Sequence, residues 1–224
     1  MCSISDWLVA IGTILLAIVA IFQDQIRKGW RHPLLNLNFI TSPDCQKLLS
    51  TYPISKTQQV ETDTYYIRLR IENNGNEKAE NVEVFAQKLM RKSADGKYVT
   101  VKSFIPMNLF WSHINVVNLP ILPSHVYKNC DIFRVINPIS RKAIFFEDKT
   151  WENIDPARTI LSFDTEVRTY SKNNLACCGT YQLHLIISSA NSEPITKIVE
   201  INLTGSWFDE EEKMFSEGLG VSIL

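Results

Sequence analysis

Glycine is scarce in this chain, with 8 among 224 residues. None sits in a Walker loop, a dinucleotide fingerprint or a G-x-S-x-G turn, so phosphate cradles and serine-hydrolase elbows lack their backbone. Excess charge is also missing. The 23 Lys and Arg offset 24 Asp and Glu, for a formal net charge of −1, which disfavours a strongly basic nucleic-acid binder. Cysteines number 5, namely Cys2, Cys45, Cys130, Cys177 and Cys178. No C-x-x-C spacing bends two thiolates toward one zinc, and the adjacent Cys177 and Cys178 point opposite ways in an extended chain. Reduced thiols, no metal and no cofactor are the reading. Helical periodicity almost disappears after Pro33, which leaves strands as the main building unit.

One feature that is present stands apart. Residues 7–22, WLVAIGTILLAIVAIF, run from Trp7 to Phe22 without a charge and are apolar on every face, unlike an amphipathic core helix. A cleaved leader would carry a basic start and a small-residue cleavage motif, and MCSISD leads into neither. A lipoprotein acceptor would follow the run, whereas Cys2 precedes it. The run falls slightly short of the roughly 20 residues that cross a ~30 Å hydrocarbon core, and Ile4 and Ser5 lengthen it. We therefore expect a single-span anchor over residues 1–32, flanked by Arg27, Lys28 and Arg31, with Trp30 at headgroup level. The positive-inside rule then puts the N-terminus outside and a domain of residues 33–224 on the cytoplasmic side of the inner membrane.

The remaining pattern is of strands. Tyr65, Ile67, Leu69 and Ile71 share one face and Tyr66, Arg68, Arg70 and Glu72 the other, as in a half-buried strand. Asn73, Asn74, Gly75 and Asn76 supply turn chemistry, and Val82, Val84 and Ala86 resume an apolar face, so the two runs read as adjoining strands. Further strands are expected at residues 34–40, 97–104, 125–136 and 159–171, with a hairpin of 180–189 and 195–204 around ANSEP. A short helix is expected at 151–158. Another should begin near Asp209, where acids favour a helix start, and end at Gly218.

The segments YYIRLRIENNGNEKAENVEVFAQKL, LPILPSHVYKNCDIFRVI and GTYQLHLIISSANS resemble CARDB-like and related bacterial immunoglobulin-like domains. The shared pattern is a strand ending in N-x-G, an Ala-containing turn, a Pro-centred turn and G-x-Y before a late strand. The likeness runs over about residues 65–203, with insertions at 91–117 and 137–176, and Ser124-His125 stand where the family usually has Gly after Pro. It implies a mainly β, immunoglobulin-like sandwich with an adhesion or interaction role, and no chemistry. The chain as a whole also resembles bacterial membrane proteins with one amino-terminal span and a cytoplasmic β-rich domain.

Four constellations bear on function. Asp164 and Glu166 share a strand face at the spacing of paired acid–base carboxylates and read as part of a solvated polar exterior; where this strand pairs with that of residues 65–71, Arg68 and Arg70 answer them across the sheet, each pair contributing roughly 0.2–1 kcal/mol. Cys130, Cys177, Cys178 and His184 lack zinc spacing and read as buried or loop residues. The acidic run of residues 209–212 reads as a solvated first helical turn. Phe110, Trp111 and His113, in NLFWSHINVVNLP, read as core filling or as a partner contact.

The expected function is a membrane-tethered, non-enzymatic module that binds a protein partner and not nucleic acid, with homo-oligomerisation through the span. Two alternatives stand beside it: a ligand-gated membrane effector of stress or anti-phage defence, and an enzyme whose composite site would gather Asp164, Glu166 and His184.

Overall fold

A computed structural model describes residues 3–53, 58–140, 155, 157–167 and 174–224, with the backbone alone for residues 6, 23–30, 52 and 53. Helix α1, Ile4–Trp30, has 27 residues. It stops just before Pro33, which cannot donate to a helical ladder and biases His32 toward extended backbone. Thr13, its polar interruption, returns its hydroxyl proton to the Val9 carbonyl at 2.8 Å. The apolar side chains of α1 face outward, from Ile18 at 46% exposed to Ile4 at 82%. Among the described residues no helix is long and apolar enough to cross a membrane; residues 7–22 extend about 24 Å at 1.5 Å per residue.

The rest is a β-sandwich of two antiparallel sheets. The first holds β1 (Leu35–Asn38), β2 (Gln46–Pro53), β3 (Gln59–Asn73), β8 (Tyr127–Ile136), β9 (Ile160–Phe163) and β10 (Leu175–Ala176). The second holds β4 (Ala79–Lys92), β5 (Tyr98–Thr100), β6 (Met107–Asn108), β7 (Asn118–Leu122), β11 (Gly179–Ser189), β12 (Ser192–Leu203) and β13 (Leu219–Ile223). Two long strands organise them. Strand β3 pairs with β2 and then β1 along one edge and with β8 along the other, while β4 pairs with β11 on one edge and with β7, β6 and β5 on the other.

Period-2 alternation puts Ile67, Leu69 and Ile71 of β3 against Val82, Val84 and Ala86 of β4 and Leu183, Leu185 and Ile187 of β11 in one buried cluster. Each of the Ile, Leu and Val side chains contributes about 1.5–3 kcal/mol by leaving water. One end of the core is closed by the C-terminal segment, where the Tyr65 hydroxyl donates to the Phe208 carbonyl at 2.8 Å and its ring lies 5.0 Å from that of Trp207. Burial, then the charges of Glu211, Asp209 and Asp63, push the Tyr65 phenol up to about 12.

Several expectations are corrected. β3 and β4 do not adjoin: they lie in opposite sheets, and residues 74–78 arch between them. The helix expected from near Asp209 to Gly218 is present as Glu211–Lys213 followed by a π turn, Met214–Gly218; the strand after it, β13, was not expected and pairs Leu219 to Ile223 with Leu203 to Val199 of β12. Of the strand expected over 159–171, the described residues hold Ile160–Phe163 as strand and Thr165 as an isolated bridge, while residues 168–171 and most of the helix expected at 151–158 lie outside the described residues.

The Asn-Asn-Gly-Asn arch has a second task, because it clamps the chain leaving α1. Asn76 Oδ1 accepts the His32 N–H and Asn73 Oδ1 accepts the Leu34 N–H, each at 3.1 Å, and the Asn74 N–H donates to the Leu34 carbonyl at 2.8 Å. Only glycine fits at 75, since a Cβ there would lie 2.3 Å from the His32 carbonyl oxygen.

Candidate functional site

The outer face of the first sheet carries a dense polar cluster, and a bulge shapes it. Asp131 and Arg134 are three apart in β8, so in a regular strand they would point to opposite faces. The β3–β8 register slips between Ile67 and Arg68, which pair with Phe133 and Asp131. Ile132 is the extra residue and stays in the core. Asp131 and Arg134 thereby emerge on the same outer side. Neighbours satisfy the bulged backbone: the Asp131 N–H donates to the Phe110 carbonyl and the Asp164 N–H to the Ile132 carbonyl, both at 2.9 Å.

Ion pairs follow from that placement. Arg68 Nε donates to Asp131 Oδ1 at 2.8 Å, and the same oxygen accepts the Ser112 hydroxyl at 2.7 Å. Arg134 meets Asp164 at 2.7 Å. Arg70 grips both carboxylate oxygens of Asp44 at 2.9 and 3.0 Å, which raises its pKa further. The Tyr66 ring lies between two guanidiniums, 5.6 Å from that of Arg68 and 5.4 Å from that of Arg134. The Arg68 side chain is only 4% exposed. The expected pairing of Arg68 and Arg70 with Asp164 and Glu166 is thus wrong, because β9 lies beside β8 rather than β3.

Residues 107–116 form a strap over this cluster. Leu109 bridges to Thr165 and Trp111 to Cys130, while the Leu109 N–H donates to the Val84 carbonyl of the second sheet at 2.8 Å. Trp111 is 1% exposed and its indole N–H donates to the Val82 carbonyl at 3.2 Å, so it fixes the strap to the core. Phe110 is half-buried and His113 exposed. His113 and Asn115 adopt positive φ, 68° and 52°, to turn the strap back on itself.

Between strap and sheet lies a cleft of about 290 Å³. Tyr66, Phe110, His113 and Asn115 line it together with Asp131, Arg134 and Asp164. It offers aromatic faces beside guanidinium and carboxylate edges, the composition of a contact surface. Each of its carboxylates is engaged by an arginine.

The remaining expected site residues lie apart. His184 belongs to β11 between the core residues Leu183 and Leu185, so it points out of the second sheet, on the far side from Asp164. Glu166 is exposed and does not line the cleft, so a composite site of Asp164, Glu166 and His184 does not assemble. Burial, then the nearby Lys88, hold the His184 imidazole below its usual range. Cys130 is 1% exposed, with its thiol pushed well up by burial and then by Asp131 and Asp164. Among the described residues no group of three or more His, Cys, Asp or Glu could hold a metal ion. On α1, Trp7 is 66% and Phe22 49% exposed, Arg31 is exposed just beyond the helix, and the side chains of Arg27, Lys28 and Trp30 fall outside the description. The contributors that sequence reading missed are Tyr66, Asp131 and Arg134, and the signal hiding them was the bulge.

Comparison with family models, curated proteins and solved structures gives no match to this chain. Its class is therefore defined by its own architecture: an antiparallel β-sandwich with a strapped Arg–Asp cleft on one outer face and an apolar helix whose following residues are clamped to one end.

Proposed function

We propose that the chain is a membrane-tethered, non-enzymatic interaction module: an immunoglobulin-like sandwich, similar to CARDB-type domains, held by α1 on the cytoplasmic side of a bacterial inner membrane. The observation that carries this reading is the apolar surface of α1, exposed on all sides. Such a surface is covered by lipid at little cost, with Ile4 and Ser5 and the basic residues after Phe22 extending the run to the headgroups. Tethering raises the effective concentration of the sandwich for a membrane-proximal protein partner. The contact falls on the cleft rim, through Phe110 and His113. Purifying the full chain from membranes in mild detergent tests this. A specific protein should accompany the wild type and be lost with Phe110→Ala/His113→Ala; the same proteins with both forms, or none with either, would sink the idea.

A second reading, a ligand-gated membrane effector, is favoured by the clamp. The chain that leaves the helix is bonded to the sandwich at His32 and Leu34, which gives occupancy of the cleft a covalent and hydrogen-bonded route toward the span and its homo-oligomerisation.

A further inference from the structure

Strand β13 is an outer strand of the second sheet, paired to β12 along one side. The pairing has no register shift. It is bracketed by the Thr204 N–H on the Gly218 carbonyl at 3.0 Å and the Leu224 N–H on the Ile198 carbonyl at 2.9 Å. Antiparallel alternation therefore turns the backbone groups of residues 218, 220, 222 and 224 toward β12 and those of residues 219, 221 and 223 away from it. The Leu219 N–H returns to the Met214 carbonyl of the π turn. Among the described residues nothing meets the N–H and C=O groups of Val221 and Ile223.

The other outer strands among the described residues are guarded. β1, β5, β6 and β10 have four residues or fewer. β7 carries Pro120, and β2 carries Lys47, whose N–H is taken by the Glu211 carboxylate at 3.0 Å. Even β12 bears Glu193, Pro194 and Lys197 on the stretch that runs past β13. Brevity, charge and proline are the devices that keep sheet edges from pairing. Leu219–Ile223 has neither charge, proline nor bulge.

We infer that β13 pairs with β13 of a second copy of this chain, antiparallel, about a two-fold axis at Ser222. In that register the Val221 N–H donates to the partner's Ile223 carbonyl, and the Ile223 N–H to the partner's Val221 carbonyl. Symmetry doubles these to four bonds, which use every free group on both residues. Leu219, its N–H already engaged, falls outside the pairing. The side chains are self-complementary too, as an isologous contact requires. Val221 and Ile223, half-buried at the margin of the core, become apolar cross-strand neighbours on the inner side, and the exposed Ser222 faces its own copy on the outer side. The axis stands perpendicular to the sheet, so two anchored copies share one bilayer with the joined sheet spread along its surface.

The test uses the full chain in mild detergent, as wild type, Ile223→Pro and Ser222→Cys, weighed by light scattering across a dilution series. The wild type should be a dimer that dissociates on dilution. Ile223→Pro removes two of the four bonds and leaves the β12 ladder intact, so it should keep its thermal transition and raise the dimer Kd about thirtyfold. Ser222→Cys sets two thiols on Cα atoms about 4.5 Å apart across the axis, within disulfide reach. Mild oxidation should then join residue 222 of one copy to residue 222 of the other, in preference to any disulfide through the partly exposed Cys177 and Cys178, as mapped by peptide mass spectrometry. A monomeric wild type, an unchanged Kd for a folded Ile223→Pro, or no disulfide between the two residues 222 overturns the inference. A wild-type dimer combined with either of the last two results assigns association to the span instead. The cross-link decides alone if Ile223→Pro does not fold.

Discussion

Replacing Asn73 by alanine should be among the most damaging single changes in this protein. Its side chain is fully buried and makes four hydrogen bonds. Oδ1 accepts the N–H groups of Leu34 and Gly75, both at 3.1 Å, and Nδ2 donates to the carbonyls of Glu77 at 2.7 Å and Leu122 at 3.2 Å. At a net value of about 1 kcal/mol per bond, plus a penalty where a buried partner is stranded, Asn73→Ala should cost about 3–5 kcal/mol. That is a large share of a typical total of about 5–15 kcal/mol. Asn73→Asp should be at least as harmful, because it keeps the acceptor but aims a second carboxylate oxygen at two carbonyls. Asn74→Ala is the control: its side chain is exposed, so its cost should stay within about 0.5 kcal/mol. Urea unfolding of the full chain in mild detergent, followed by tryptophan fluorescence, measures all three. A loss below about 1 kcal/mol for Asn73→Ala, or wild-type stability for Asn73→Asp, would refute the clamp.

Other consequences are as direct. Arg68→Met strands Asp131 beneath the strap and should cost about 3–5 kcal/mol; in double-mutant cycles Arg68 should couple to Asp131 and not to Asp164. Lowering the pH from 7 to 5 should weaken the wild type more than His184→Gln. Its imidazole titrates below the usual 6.5 when folded, so the unfolded chain binds the proton first, and stability falls until the folded value is passed; equal losses in thermal melts would exclude this. Native alkylation read by peptide mass spectrometry should label Cys177 and Cys178, which are partly exposed, while Cys45 and Cys130 react only on unfolding. Equal labelling of all four would contradict their burial.

Alternation made the inner faces legible. Tyr65, Ile67, Leu69 and Ile71 are buried as their spacing demands, and the β11–β12 hairpin lies where its apolar runs and turn residues put it. Pairing partners were not legible, because a polar strand face looks the same whether solvent or a strap covers it. Sequence spacing allows Arg68 to face Asp164, while the structure gives it Asp131. The cleft was half visible, through Phe110, His113 and Asp164. Its other half depends on the bulge at Ile132, whose trace in the sequence is only a phase break, the adjacent apolar Ile132 and Phe133, which does not say which faces the flanking charges share. The turn chemistry of residues 73–76 was plain, but its role as a clamp on His32 and Leu34 depends on contacts some forty residues apart in sequence. Strand β13 was hidden because LGVSI follows Gly218, the residue that signals a helix end.

The central claim is that α1 holds the sandwich at a bilayer, and alkaline carbonate extraction tests it most directly. Membranes from cells producing the full chain are compared with those from cells producing a chain that begins at Arg31. The full chain should stay in the membrane pellet, and the shortened one should be recovered, folded, in the supernatant. Release of the full chain by carbonate, or retention of the shortened one, would contradict that claim.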